Sequence, residues 1–106
     1  MVNPLRSEFV QQSYDRFLTT LSNKTRLAII HSLKDGSKNV NDITNEMKVH
    51  QTTVSHSLRR LLDCGFVFVA KNGKERVYSL NKKTIRPLIK LMEEHVNSFC
   101  TKGSCI

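Results

Sequence analysis

The sequence predicts a mainly α fold with a two-stranded β-wing, in the order α-α-α-α-β-β-α: a winged helix-turn-helix. Three observations carry that expectation. Apolar residues recur at helical spacing in separate stretches along the chain. A short helix, a tight turn at Lys48–His50 and a helix with a polar second face make a helix-turn-helix. Two strand-like runs then meet at Asn72-Gly73, the strongest two-residue hairpin signal, because both central residues of that turn take positive φ.

The first helix is expected from about Leu5 to Thr20. Val10, Tyr14, Phe17, Leu18 and Leu21 share one face, and Pro4 suits a helix start. Ser22 or Asn23 can cap the second, which carries Leu27, Ile29, Ile30 and Leu33 and stops at Asp35-Gly36. The third is short, with Val40, Ile43 and Met47 at i, i+3, i+7 and either Asn39 or Asn41 as its cap. The fourth, about 51–64, buries Val54, Leu58, Leu61 and Leu62 and ends at Cys64-Gly65. Phe66–Lys71 and Lys74–Leu80 read as the two strands of a wing over about 66–80. Ile85, Leu88, Ile89, Met92, Val96 and Phe99 trace a last helix from about Thr84 to Cys100, with Pro87 tolerable in its first turn. That stripe is too long for one small core to cover. With Phe9, Val10 and Tyr14 of the first helix it predicts a homodimer through the first and last helices.

The 106 residues fit one domain over 1–106 and leave no room for a catalytic domain beside a regulatory one. The longest apolar run, Phe66–Ala70, is far short of the roughly 20 residues of a membrane span. Nothing in Met1 to Phe9 reads as a signal peptide. Three cysteines in such a chain point to the cytoplasm, with free thiols or a metal site rather than a disulfide framework. The net charge of +8 is concentrated. Residues 1–47 carry +1, residues 48–90 carry +8 and residues 91–106 carry −1. A basic stripe of that kind attracts polyanions such as double-stranded DNA; a merely solvated face is the plainer reading. Catalysis finds no support: there is no Gly-rich phosphate loop and no Ser/His/Asp arrangement with a local signature, and Glu93-Glu94 point in different directions on a helix.

Three segments, Leu21–Leu33 (LSNKTRLAIIHSL), Val49–Val67 (VHQTTVSHSLRRLLDCGFV) and Asn72–Leu80 (NGKERVYSL), resemble the ArsR/SmtB family of winged-helix repressors. The resemblance covers about residues 15–100. It implies a homodimer on a palindromic operator, often released by a metal ion. The family's DNA-reading positions fall on Gln51, Thr53, Ser55 and His56, with Thr52 beside them. Gln can read adenine bidentately, and short hydroxyls and imidazole serve base edges or phosphates. Arg59, one turn on, is placed for a phosphate, and Lys71, Lys74 and Arg76 for the backbone or minor groove. Taken alone, Thr52, Thr53 and Ser55 are equally readable as the caps and solvated face of a surface helix. A winged-helix protein-interaction module without specific DNA binding is the rival function.

The metal sites that the resemblance implies are mostly missing. The third-helix site needs Cys-x-Cys, and Asn39–Thr44 (NVNDIT) has no cysteine. The zinc-type site of the last helix maps to Lys82, Thr84, His95 and Ser98, of which only His95 is a ligand type. A third arrangement joins a thiolate at the end of the recognition helix to one in the C-terminal tail, here Cys64 and Cys105. Arg60 stands where such members have a further cysteine, and Cys100 is the replacement candidate. Soft thiolates at Cys64, Cys100 and Cys105 suit Cd²⁺, Pb²⁺ or As(III). Thiol oxidation is the alternative, and inert cysteines the plainest reading. His31, on a mainly apolar helix, reads as packed or at its edge.

Overall fold

The computed structural model describes residues 8–100. The chain runs α1 (Glu8–Leu21), α2 (Lys24–Ser32), β1 (Lys38–Asn39), α3 (Val40–Met47), α4 (Gln51–Asp63), β2 (Val67–Asn72), β3 (Glu75–Leu80) and α5 (Ile85–His95), which continues as one π-helical turn, Val96–Cys100. The expected helix start at Pro4 and Leu5, the side chain of Phe9, and Cys105 lie outside the described residues.

Each boundary has a local cause. Asn23, rather than Ser22, caps α2: its Oδ1 accepts the Arg26 N–H at 2.9 Å. Asn39, rather than Asn41, caps α3 by accepting from the Asp42 N–H at 2.7 Å. Lys48 ends α3 in the left-handed conformation, φ 57°, donating to the Thr44 carbonyl at 2.9 Å. α4 closes with Gly65 at φ 72°, where glycine bears no Cβ penalty. There the Phe66 N–H bonds the Leu61 carbonyl at 2.9 Å and the Gly65 N–H bonds that of Leu62 at 3.1 Å, a Schellman closure. Asn81 joins three elements. Its N–H donates to the Phe66 carbonyl and its amide to that of Gly65, each at 2.9 Å, while its Oδ1 accepts from Lys83 and Thr84 at the entry to α5.

The core forms where these elements face one another. Ile29, Ile30, Ile43, Val54, Leu58, Leu61, Phe66, Val67 and Ile89 are almost wholly buried. Each such side chain contributes about 1.5–3 kcal/mol relative to exposure. α1 joins the core through Phe17, whose ring lies 5.0 Å from that of Phe66. Arg26 fastens the end of α1 from the next helix, donating to the Thr20 carbonyl at 2.6 Å and to that of Thr19 at 2.9 Å. α5 is tied to α2 by Glu93, which pairs with Lys34 at 2.8 Å and with His31 at 3.0 Å. His31 is thus an exposed edge residue with an ionic partner.

Two expectations about the wing are corrected. The hairpin loop is Gly73-Lys74, not Asn72-Gly73, because Asn72 pairs with Glu75. Only Gly73, φ 69°, takes positive φ there, which fits a turn with glycine at the first central position. The sheet is also three-stranded, ordered β1-β3-β2, with Lys38 opposite Tyr78 and Asn39 opposite Val77. Among the described residues no helix is long and apolar enough to cross a membrane.

Candidate nucleic-acid interface

α4 has two faces with different fates. Val54, Ser57, Leu58 and Leu61 are buried, which fixes the helix on the core. Gln51, Thr52, Thr53, Ser55, His56 and Arg59 are all exposed. Arg59 is braced by Asp63 at 3.3 Å, one turn further along. His50 precedes the helix without capping it through its side chain, so the first backbone N–H groups of α4 face outward unclaimed by that residue. A helix N-terminus of this kind favours a phosphate.

The wing stands beside this face because β1 holds it there. Pairing of β1 with β3 ties the hairpin to the segment that enters α3, and the Asn39 amide hydrogen-bonds the Glu75 carboxylate at the wing tip. Gln51 consequently shares one open cleft of about 210 Å³ with Lys74, Glu75 and Arg76, together with Asn39 and Asn41. Lys71 sits directly across the hairpin from Arg76, and both are exposed. The sequence offered Asn39 only as a helix cap and Lys48 only as a turn residue; the β1 pairing, the Asn39–Glu75 contact and the positive φ of Lys48 were not expected. A two-residue strand has no periodicity to detect, and Lys is an unusual choice at positive φ.

The chain matches the family model described as bacterial regulatory protein, arsR family, over residues 23–68. It is 33% identical over 72 residues to the HTH-type transcriptional regulator NmtR of Mycobacterium tuberculosis, an alignment covering 68% of this chain and 60% of that protein. It is 34% identical over 64 residues to the arsenical resistance operon repressor of Staphylococcus xylosus, covering 60% and 62%. The chain belongs to the ArsR family. It spans about three-fifths of the length of these two relatives, which are regulators and not enzymes. The fold agrees with a homodimeric winged helix-turn-helix DNA-binding domain from Mycobacterium bovis, described as a possible ArsR-family regulator. That likeness has a TM-score of 0.81 at 22% identity, over 92% of this chain and 89% of that one.

For an ArsR-family chain the thiols are the next question. Cys64 caps α4 and is partly buried, with its Sγ 3.2 Å from the Thr20 hydroxyl. That fully buried hydroxyl donates to the Arg16 carbonyl at 2.7 Å and accepts from Arg60 Nε at 2.9 Å. Burial pushes the Cys64 thiol up, but hydrogen bonding with Thr20, Arg16 and Arg60 and the charge of Arg16 outweigh it, leaving the thiol below its ordinary value. Arg26 interacts electrostatically with the same thiol. Three guanidiniums around one sulfur favour a thiolate and repel a metal cation. Cys100 is disulfide-bonded, contrary to the expectation of free thiols. Among the described residues no three His, Cys, Asp or Glu side chains gather as a metal site. The described donors therefore do not fit a metal ion at Cys64. Arg60 was recognised in the sequence only as a missing ligand; its bond to Thr20 is a contact between distant segments that no local pattern reveals.

Proposed function

We propose that the chain is a sequence-specific DNA-binding repressor of the ArsR type, acting in the cytoplasm as a homodimer on a palindromic operator. The observation that carries this reading is the single concave surface shared by the exposed start of α4 and the basic wing tip. In this reading Gln51, Thr52, Thr53, Ser55 and His56 address base edges, Arg59 a phosphate, and Lys71, Lys74 and Arg76 the flanking backbone. The dimer is supported by apolar side chains left exposed on α1 and the last helix. Tyr14 is 50%, Leu18 54%, Leu91 63% and Phe99 60% exposed. Leu91 lies outside the stripe expected from the sequence. Two-fold symmetry in the protein then matches two half-sites in the DNA.

The test is operator selection from random duplexes by the 106-residue chain, sedimenting at twice 12.2 kDa. Changing Gln51, Ser55 or His56 to Ala should lower the preference for the selected site over random DNA by about 1–3 kcal/mol where a good base contact is lost. A parent protein that selects no sequence at all would sink the reading and favour a protein-interaction module.

The responsive group in this proposal is the Cys64 thiol, for two reasons. It sits at the end of the helix that carries the base-reading residues, and its surroundings favour the thiolate. The S. xylosus relative is by name an arsenical resistance repressor, which keeps As(III), Cd²⁺ and Pb²⁺ in the comparison. Peroxide is expected to change operator affinity in the parent and not in Cys64→Ser. A response to the thiophilic metals that survives Cys64→Ser would assign sensing to the C-terminal cysteines instead.

A further inference from the structure

A further cleft of the described residues lies away from the interface above. It lies between the segment leaving α2 and the start of α5, has a volume of about 550 Å³, and is lined by Lys34, Asp35, Lys82, Arg86, Pro87, Lys90 and Glu93. That volume falls within the range of small-molecule sites, about 300–1,000 Å³. A smaller recess of about 80 Å³ adjoins it, sharing Lys34, Asp35, Lys82 and Arg86 and adding Ser37 and Ser79.

Most of the positive charge in this cleft has no ion-pair partner among the described residues. Lys34 is taken up by Glu93, at 2.8 and 3.0 Å to its two oxygens. Lys82, Arg86 and Lys90 form no ion pair among the described residues. Arg86 and Lys90 are at i, i+4 on one face of α5, where like charges repel, and Lys82 lines the same cleft from the turn that leads into the helix. Asp35 is the one acid of the lining outside the Glu93 pairing. The four cations and two acids of the lining leave the cleft with a net excess of two positive charges. Leu91, the exposed apolar residue of this helix, lies roughly 140° around from Arg86, so the cleft stays open if that side is covered by a second copy. The cleft is also distant from the wing tip. Lys82 follows the far end of β3, whose six residues at about 3.3 Å each separate it from the Gly73-Lys74 loop.

We propose that this cleft binds a phosphorylated small molecule, seating a phosphoryl dianion between Lys82, Arg86 and Lys90. A planar guanidinium matches two phosphoryl oxygens, and the ammonium groups serve as point charges on the remainder. The hydroxyls of Ser37 and Ser79 are neutral donors in the adjoining recess. A lone carboxylate would leave the cation excess uncompensated. The cleft exceeds what free phosphate fills, and Pro87 with the lysine stems provides an apolar wall for the rest of the ligand.

Calorimetric titration of the full chain without DNA tests this, with inorganic phosphate, pyrophosphate and ADP as the three probes. Saturable binding is expected, with pyrophosphate or ADP at least tenfold tighter than phosphate. Phosphate binding as tightly as the others would assign the site to the free ion. Arg86→Gln should weaken binding about tenfold or more. Lys24→Gln, which removes an equal charge from an exposed position on α2, should change it less than twofold. Equal losses in the two variants, or no saturable heat with any probe, would overturn the proposal. So would an Arg86→Gln protein that keeps its phosphoryl binding but loses affinity for random DNA, since the cleft would then be a backbone contact.

Discussion

Phe66→Ala is expected to destabilise the domain by about 3–5 kcal/mol, a large part of the roughly 5–15 kcal/mol that holds a small domain together. Phe66 is completely buried, and its ring meets Phe17 of α1 at 5.0 Å. Its N–H closes α4 on the Leu61 carbonyl, and its carbonyl accepts the N–H of Asn81 at the end of the wing. Truncating the ring thus opens a cavity where α1, α4 and the hairpin meet, and so beneath the proposed base-reading helix. Denaturant unfolding reads the loss as a lower midpoint. Phe68, two residues along β2, is the control. It is 54% exposed, and Phe68→Ala should move stability by no more than about 0.5 kcal/mol. Similar losses in the two variants would show that the core is not organised around Phe66.

Helices were the legible part of this fold. The apolar spacing of Ile43 on α3, Val54, Leu58 and Leu61 on α4, and Ile85 and Ile89 on α5 marks positions that are buried in the structure. Local chemistry also located the ends, since Asn23, Asn39 and Gly65 are residue types that cap helices. Features that depend on distant segments were not legible. β1 is two residues long and exists because β3 offers it an edge. The hairpin loop moved by one residue because pairing of the strands, not the dipeptide alone, sets the register. The basic and polar residues proposed to face DNA were readable from their types and spacing. What surrounds Cys64 was not, because Thr20, Arg16 and Arg26 come from other helices and converge only on folding. The unpaired cations of the α5 cleft were visible as charge, but not as a cavity.

Replacing Lys71, Lys74 and Arg76 together by Gln should have opposite effects on stability and on DNA binding. Lys71 and Arg76 face each other directly across the β2–β3 ladder, where like charges are unfavourable, and neither forms an ion pair among the described residues. Removing them should leave the fold unharmed or stabilise it, by about 0.2–1 kcal/mol on the scale of such pairs. In the proposed dimer the three positions supply about six phosphate contacts. The salt dependence of binding should therefore fall by about six units, with affinity for all duplexes dropping on the order of a thousandfold at moderate salt. Preference among sequences should change little, because these side chains meet the backbone rather than the base edges. The contrast with Gln51→Ala is diagnostic: that variant should keep the salt slope and lose discrimination. Fluorescence anisotropy across a salt series, paired with thermal unfolding of the same variants, measures both quantities. A parent protein with a shallow salt slope, or a triple variant that binds DNA as the parent does, would remove the wing from the interface and leave its repelling charges without a function.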